Sequence, residues 1–273
     1  RITHKVREYS GMLFNPKVVE ALMELSEKES FWLDITSLSI DRLLPKRVSG
    51  HMLAVEDICD LCQLFARIID FRSEFTANHS SGVANTAVKL ARLSGFNEDQ
   101  VQDMQIAGYL HDLGKLAVSA DILEKPSQLK SDEIDIMRCH TYYTFKTLAS
   151  IDGLSTINEW ASFHHEHLDG KGYPFHLKDK ALSVGARIMA VADAFTALTE
   201  DRPYRKGLDQ QKTMKIIQSM GDSNKLDRDI LKILKDNYEE IDNGRETAQL
   251  IATDEHRKFV DSVREALEEE VPA

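Results

Sequence analysis

Phe163-His164-His165-Glu166-His167-Leu168-Asp169-Gly170-Lys171-Gly172-Tyr173-Pro174 is the stretch on which the reading of this chain turns. Residues 164–169 hold three histidines and two carboxylates. Two glycines and a proline then stop any helix from running on. Neutral imidazole and ionised carboxylate are good ligands for divalent transition metals, so the cluster has the chemistry of a metal site.

A second piece of the same kind lies upstream, His111-Asp112-Leu113-Gly114-Lys115, and His79, His140 and Asp193 sit on helical patterns around the two. A lone histidine on a helix is usually a surface or satisfied core residue. Asp193, inside Met189-Ala-Val-Ala-Asp193-Ala-Phe, is harder to place that way, because burying an unpaired carboxylate is costly. His111-Asp112, preceded by Ala107-Gly-Tyr-Leu110, poses the same problem. A metal ion satisfies all of these groups together. Adjacent helical residues point about 100° apart, so His111 can face one ion while Asp112 reaches toward a second. Five histidines and two aspartates are more donors than one ion uses and suit a pair sharing a carboxylate. Paired ions roughly 3.5–4 Å apart serve phosphoester hydrolysis, and mixed imidazole and carboxylate donors favour iron, manganese or nickel over magnesium.

Outward from these residues nearly every periodic segment predicts helix. Asn15-Pro16 reads as an N-cap and first turn leading to about Ser26. Helices are expected over 31–44 and 52–71, the latter with Val55, Ile58, Leu61, Cys62, Phe65, Ile68 and Ile69 at spacings of three and four. Others are expected from near Phe75 to Gly95, over 98–113 with Asn97 and Gln100 as a capping pair, from Ser131 through His140, and over 156–165 and 183–200. Three more, at 209–220, 226–239 and 253–269, complete an all-α fold without strands.

The 273 residues are 42% apolar and 29% charged, ordinary for a globular chain. A net charge of −11 argues against binding DNA or RNA polymers, though not against a small anionic substrate. No apolar run approaches the length needed to cross a bilayer. Three cysteines make no disulfide framework and point to a reducing cytoplasm, with Cys59 and Cys62 as core residues. Arg1 in place of an initiating Met points to a fragment of a longer protein.

His111-Asp112-x-x-Lys115 resembles the HD-x-x-K motif of the HD superfamily. His164-His165-Glu166-x-x-Asp169-Gly170-x-Gly172-Tyr173-Pro174 resembles the HHExxDGxGYP motif of its HD-GYP branch at every defined position. The resemblance covers about 71–207 firmly, the C-terminal helices loosely, and residues 1–70 not at all. It implies an HD-superfamily helical bundle over 71–273, preceded by a smaller helical region at 1–70, an adaptor or the tail of an upstream sensory domain. The implied activity is that of a bacterial metal-dependent phosphodiesterase, cleaving cyclic di-GMP or 3′,3′-cyclic GMP-AMP to the linear dinucleotide by attack of a metal-bridging hydroxide. A binding module with little turnover is the alternative.

Carried over residue by residue, the resemblance implies His79, His111, Asp112, His140, His164, His165 and Asp193 as metal ligands. Asp112 and Lys115 would be the catalytic pair. Lys115, Tyr173, Arg202 and Arg205 would contact substrate, the arginines as part of Asp201-Arg-Pro-Tyr-Arg205. Glu166 and Asp169 would orient the ligand histidines. Relatives with three metals carry a glutamate four residues before the histidine corresponding to His79. Phe75 stands there, and Glu74 is one place off, so two divalent ions are expected, iron or manganese before nickel. Thr141 replaces a common proline and should loosen the local turn. Helix 52–71 could form a homodimer contact, although its pattern is equally that of a core helix.

Overall fold

The structure is a computed structural model that describes residues 2–8, 10–12, 14–36, 55–71, 78–125, 127–201 and 205–269. Among the described residues there are helices, isolated bridge residues at Ser10, Phe14 and Arg205, and no strand. Three short helices lead: α1 (Ile2–Glu8), α2 (Pro16–Leu25) and α3 (Glu29–Thr36). Asn15 caps α2 as expected, accepting from the Lys17 N–H at 3.0 Å. The remainder of the helix expected at 31–44 lies outside the described residues.

The main bundle runs α4 (Val55–Phe71), α5 (His79–Leu93), α6 (Glu98–Leu110), α7 (Ala120–Leu123), α8 (Ser131–Leu148), α9 (Ser155–Ser162), α10 (Val184–Thr199), α11 (Gln210–Asp222), α12 (Arg228–Asp236) and α13 (Tyr238–Glu269). Short 3-10 turns at Leu113–Ala117 and Asp179–Ala181 interrupt it. The Asn97–Gln100 capping box opens α6 as read from the sequence. Helix α5 lies at the centre, packed by α6, α10 and α13, with Val83, Ala87, Leu90 and Ala91 wholly buried. Each large apolar side chain removed from water in this way contributes about 1.5–3 kcal/mol before chain entropy is counted. Helix α10 is buried almost all round through Ile188, Met189, Val191, Ala192 and Phe195, so Asp193 is carried on a core helix.

Three expectations need correcting. The boundary at residue 70 cuts across one core: α4 places Cys62 and Ala66 in the same buried cluster as Val83 and Ile106. The gap expected between 239 and 253 is instead continuous α13, because Ile241, Arg245, Gln249 and Ala252 form a buried stripe that docks α13 on α5. Thr141 does not loosen its turn; it is buried, its hydroxyl bonds the Arg138 carbonyl at 3.1 Å, and α8 runs straight through it.

Helix α4 turns Cys62, Ala66 and Ile69 into the core and keeps Leu61, Leu64, Phe65 and Ile68 exposed on its other face. All three cysteines are free, and burial pushes the Cys62 thiol up to about 11, which leaves it an inert core group. No helix among the described residues is long and apolar enough to cross a membrane.

The N-terminal helices are tied to the bundle by polar contacts. The Ser30 N–H donates to the Pro174 carbonyl at 3.2 Å, and His176 Nε2 meets Glu29 Oε2 at 2.5 Å. Asp34 receives both the Tyr142 hydroxyl and Lys146 Nζ at 2.6 Å.

Candidate metal centre

Five separate stretches of chain meet at one point. His79 is the first residue of α5, His111 ends α6 and Asp112 follows it, His140 lies midway along α8, His164 and His165 come just after α9, and Asp193 sits on α10. The close approach of residues 111–117 to α8 depends on Gly114: a Cβ there would meet the His140 carbonyl oxygen at 1.9 Å. The Gly114 N–H donates to the Thr144 hydroxyl, which in turn donates to the His111 carbonyl, so this crossing is locked by polar bonds as well.

The side chains fall into three overlapping groups whose donor atoms lie within 4.8 Å of one another: His140, His164 and His165; His79, His111 and Asp193; and His111, Asp112 and His164. Asp112 stands in the middle. Its Oδ1 lies 3.3 Å from His140 Nε2, its Oδ2 3.3 Å from His111 Nε2 and 2.5 Å from Lys115 Nζ.

The tautomers follow from the hydrogen bonds. His111, His140 and His164 each donate Nδ1–H to the carbonyl three residues back, Gly108, Met137 and Ala161, at 2.8, 2.7 and 2.7 Å. A carbonyl only accepts, so each ring turns an unprotonated Nε2 inward. His140 and His164 bring these atoms to 3.3 Å, lone pair against lone pair, and the buried His111 Nε2 has no hydrogen-bond partner. Converging, unsatisfied buried nitrogens are what a cation would satisfy. The donor set therefore fits divalent metal.

Electrostatics agree. Burial pushes His140 and His165 down to about 3, and burial with the neighbouring His165 holds His164 well below the usual histidine range, so all three are neutral donors. Burial opposes the charge on Asp112, but Lys115 and the flanking histidines keep its carboxyl well below the usual carboxylate range. Asp193 is likewise held low, against burial, by His79 and His165. His111 and His79 run the other way: burial works against both protons, yet Asp112 raises His111, and Glu200 and Asp193 hold His79 well above the ordinary value.

The loop after His165 forms one wall. Its return is tight at Gly172, where a Cβ would lie 2.4 Å from the Glu166 Cα, and Tyr173-Pro174 is a cis peptide. The Tyr173 ring packs on His165 with centroids 5.0 Å apart, and the Arg138 guanidinium lies 5.2 Å from its centroid.

Glu166 does not orient a ligand histidine. Its buried carboxylate accepts from the Phe175 and Leu177 N–H groups at 2.7 and 2.9 Å, fastening the loop to itself. Asp169 accepts from the Lys171 N–H at 2.9 Å in the same loop. Arg205, expected at substrate, donates instead to the carbonyls of Ala197 and Leu198 in the last turn of α10. Arg202, with Pro203 and Tyr204, and also Glu74 and Phe75, lie outside the described residues. Sequence reasoning missed Glu200, which accepts the His79 Nδ1–H at 2.9 Å, and Asp70, which receives both the N–H and the hydroxyl of Ser80.

Residues 63–230 match the family described as HD domain. The chain belongs to that family of helical proteins, and within it to the HD-GYP branch whose loop motif it carries. A 3'3'-cGAMP-specific phosphodiesterase of Vibrio cholerae is 33% identical over 240 residues, 86% of this chain and 56% of its own length. A cyclic di-GMP phosphodiesterase of Pseudomonas aeruginosa is 38% identical over 135 residues, 49% of this chain and 33% of its own. In three dimensions the fold resembles Bd1817, an HDG"Y"P protein from Bdellovibrio bacteriovorus. The TM-score is 0.51 and the identity 17%, over 68% of this chain and 65% of that one. The chain thus spans about half the length, or less, of the curated relatives compared here.

Proposed function

We propose that the chain is a phosphodiesterase that hydrolyses a bacterial cyclic dinucleotide to its linear form, using two divalent transition metal ions held by His79, His111, Asp112, His140, His164, His165 and Asp193. The observation that carries this reading is the convergence of all seven donors on two histidine-rich groups with Asp112 between them. Iron or manganese fits the mixed nitrogen and oxygen donors. Held there, such ions lower the pKa of water and offset phosphate charge.

The protein's own groups supply the rest. Lys115, fixed by Asp112 at 2.5 Å, adds positive charge where a phosphate gains negative charge at the transition state. Tyr173 and Arg138 form the rim, one offering an apolar ring and the other a planar cation for base or phosphate. Relatives named for cyclic di-GMP and for 3'3'-cGAMP both match this chain. The Vibrio cholerae relative named for 3'3'-cGAMP matches over most of the chain, which puts that substrate first.

A turnover assay tests this on protein prepared without oxygen, with iron or manganese supplied and both dinucleotides offered side by side. Metal-dependent formation of the linear product, absent in Asp112→Ala, is the expected result. Confirmed metal in the site with no turnover of either dinucleotide would replace the enzyme by a binding module.

A further inference from the structure

His79 is held differently from three of the other site histidines. His111, His140 and His164 each give Nδ1–H to a backbone carbonyl three residues back. His79 is the first residue of α5. Its Nδ1–H goes to Glu200 Oε2 at 2.9 Å, while Asp193 Oδ1 lies 3.2 Å from Nε2 on the other edge of the ring.

Glu200 is 3% exposed and comes immediately after α10. Its position is fixed from behind: Gln249 Nε2, on α13, donates to the same Oε2 at 3.2 Å. Gln249 is itself buried, and Arg245 donates to its Oε1. Two carboxylates therefore bracket one buried imidazole. Such an arrangement is costly for packing alone, since a neutral amide of the same shape would accept the Nδ1–H without burying a charge.

We infer that Glu200 is a positioning residue for His79, which fixes the ring's tautomer and makes its Nε2 a stronger donor to a metal ion. The inference rests on the proposal that His79 is a ligand. A carboxylate pulls harder on Nδ1–H than a carbonyl does, which leaves more electron density on Nε2, and its charge adds attraction for a cation. Gln249 and Arg245 extend the same device to α13, which keeps the carboxylate from turning away.

The test titrates metal-free protein with manganese(II), reading free ion by electron paramagnetic resonance, in the parent chain, E200Q, E200D and H79A. Circular dichroism verifies folding. Gln still accepts the Nδ1–H and fills the same space, whereas Asp keeps the charge on a shorter stem. The expected order of affinity is parent, then E200D, then E200Q, with one of two manganese equivalents weakened about 10- to 100-fold in E200Q. Parent-like binding of both equivalents by E200Q, or E200D binding more weakly than E200Q, would overturn the inference. If H79A holds both equivalents as the parent does, the ligand role of His79 fails and the inference with it. If H79A loses one equivalent while E200Q loses none, the failure belongs to Glu200 alone.

Discussion

The Nε2 atoms of His140 and His164 stand 3.3 Å apart although neither carries a proton, because each ring has committed its Nδ1–H to a carbonyl of its own helix. Two lone pairs so placed repel until a cation lies between or beside them. Divalent metal should therefore bind the folded chain far better than the unfolded one. At a free manganese concentration 100-fold above its dissociation constant, stability should rise by about 2.7 kcal/mol for each ion bound. Thermal melts with and without the ion check this, and in His164→Ala the increment should shrink or vanish. An equal increment in that variant would mean that the ion binds elsewhere.

Lys115 lies beside Asp112 and is not itself a metal donor. Lys115→Met should therefore keep its metal content while lowering kcat about 10²–10³-fold, the usual cost of removing one group that stabilises transition-state charge. Metal analysis and single-turnover kinetics on the same preparation separate the two effects. A variant that lost its metal instead would assign Lys115 a role in holding Asp112.

Gly114 is where the turn after α6 touches α8, and a Cβ there would meet the His140 carbonyl oxygen and the Thr144 nitrogen. Backbone cannot rotate out of the way as a side chain can. Gly114→Ala should lower stability by about 1–3 kcal/mol, measured by urea unfolding of the metal-free protein. It should weaken metal binding too, since the shift separates Asp112 from His140.

Burial pushes the Asp70 carboxyl from its ordinary 3.8 up to about 7, against the help of His79 and the two Ser80 hydrogen bonds. An acid whose folded pKa lies above its unfolded value keeps its proton longer in the folded state. Its contribution to stability is complete below about pH 4 and is lost as pH rises through 7. Asn can make both Ser80 bonds without a charge. Asp70→Asn should thus flatten the stability profile of the metal-free protein between pH 4 and 7 and raise the melting temperature at pH 8. A lower melting temperature at pH 8 would show that the ionised carboxylate is stabilising.

Much of the centre was legible because its residues break local rules. His111, Asp112 and Asp193 are polar groups inside apolar runs, and the folded chain brings them together, the first two fully buried. Glu200 breaks no such rule. An acid at the end of a helix, seven places after Asp193, reads as surface, and the approach of α13 through Gln249 is not visible in the sequence. The stretch between 239 and 253 carries no clear apolar pattern and reads as a gap, because the partner surface on α5 that makes it part of α13 is not visible in a linear sequence. Arg205 was drawn to a substrate by its neighbours in the motif. The carbonyls of Ala197 and Leu198, nearer in space, take its guanidinium.

The contacts of α3 set two walls of the centre in mechanical series with the N-terminal helices. Ser30 and Glu29 hold the loop at Pro174 and His176, and Asp34 holds α8 at Tyr142 and Lys146. One short helix therefore grips both the strap that carries Tyr173 and the rod that carries His140. Displacing α3 must either break those four attachments or drag strap and rod together, so a push at the N-terminal helices is delivered to the mouth of the centre without passing through the apolar core.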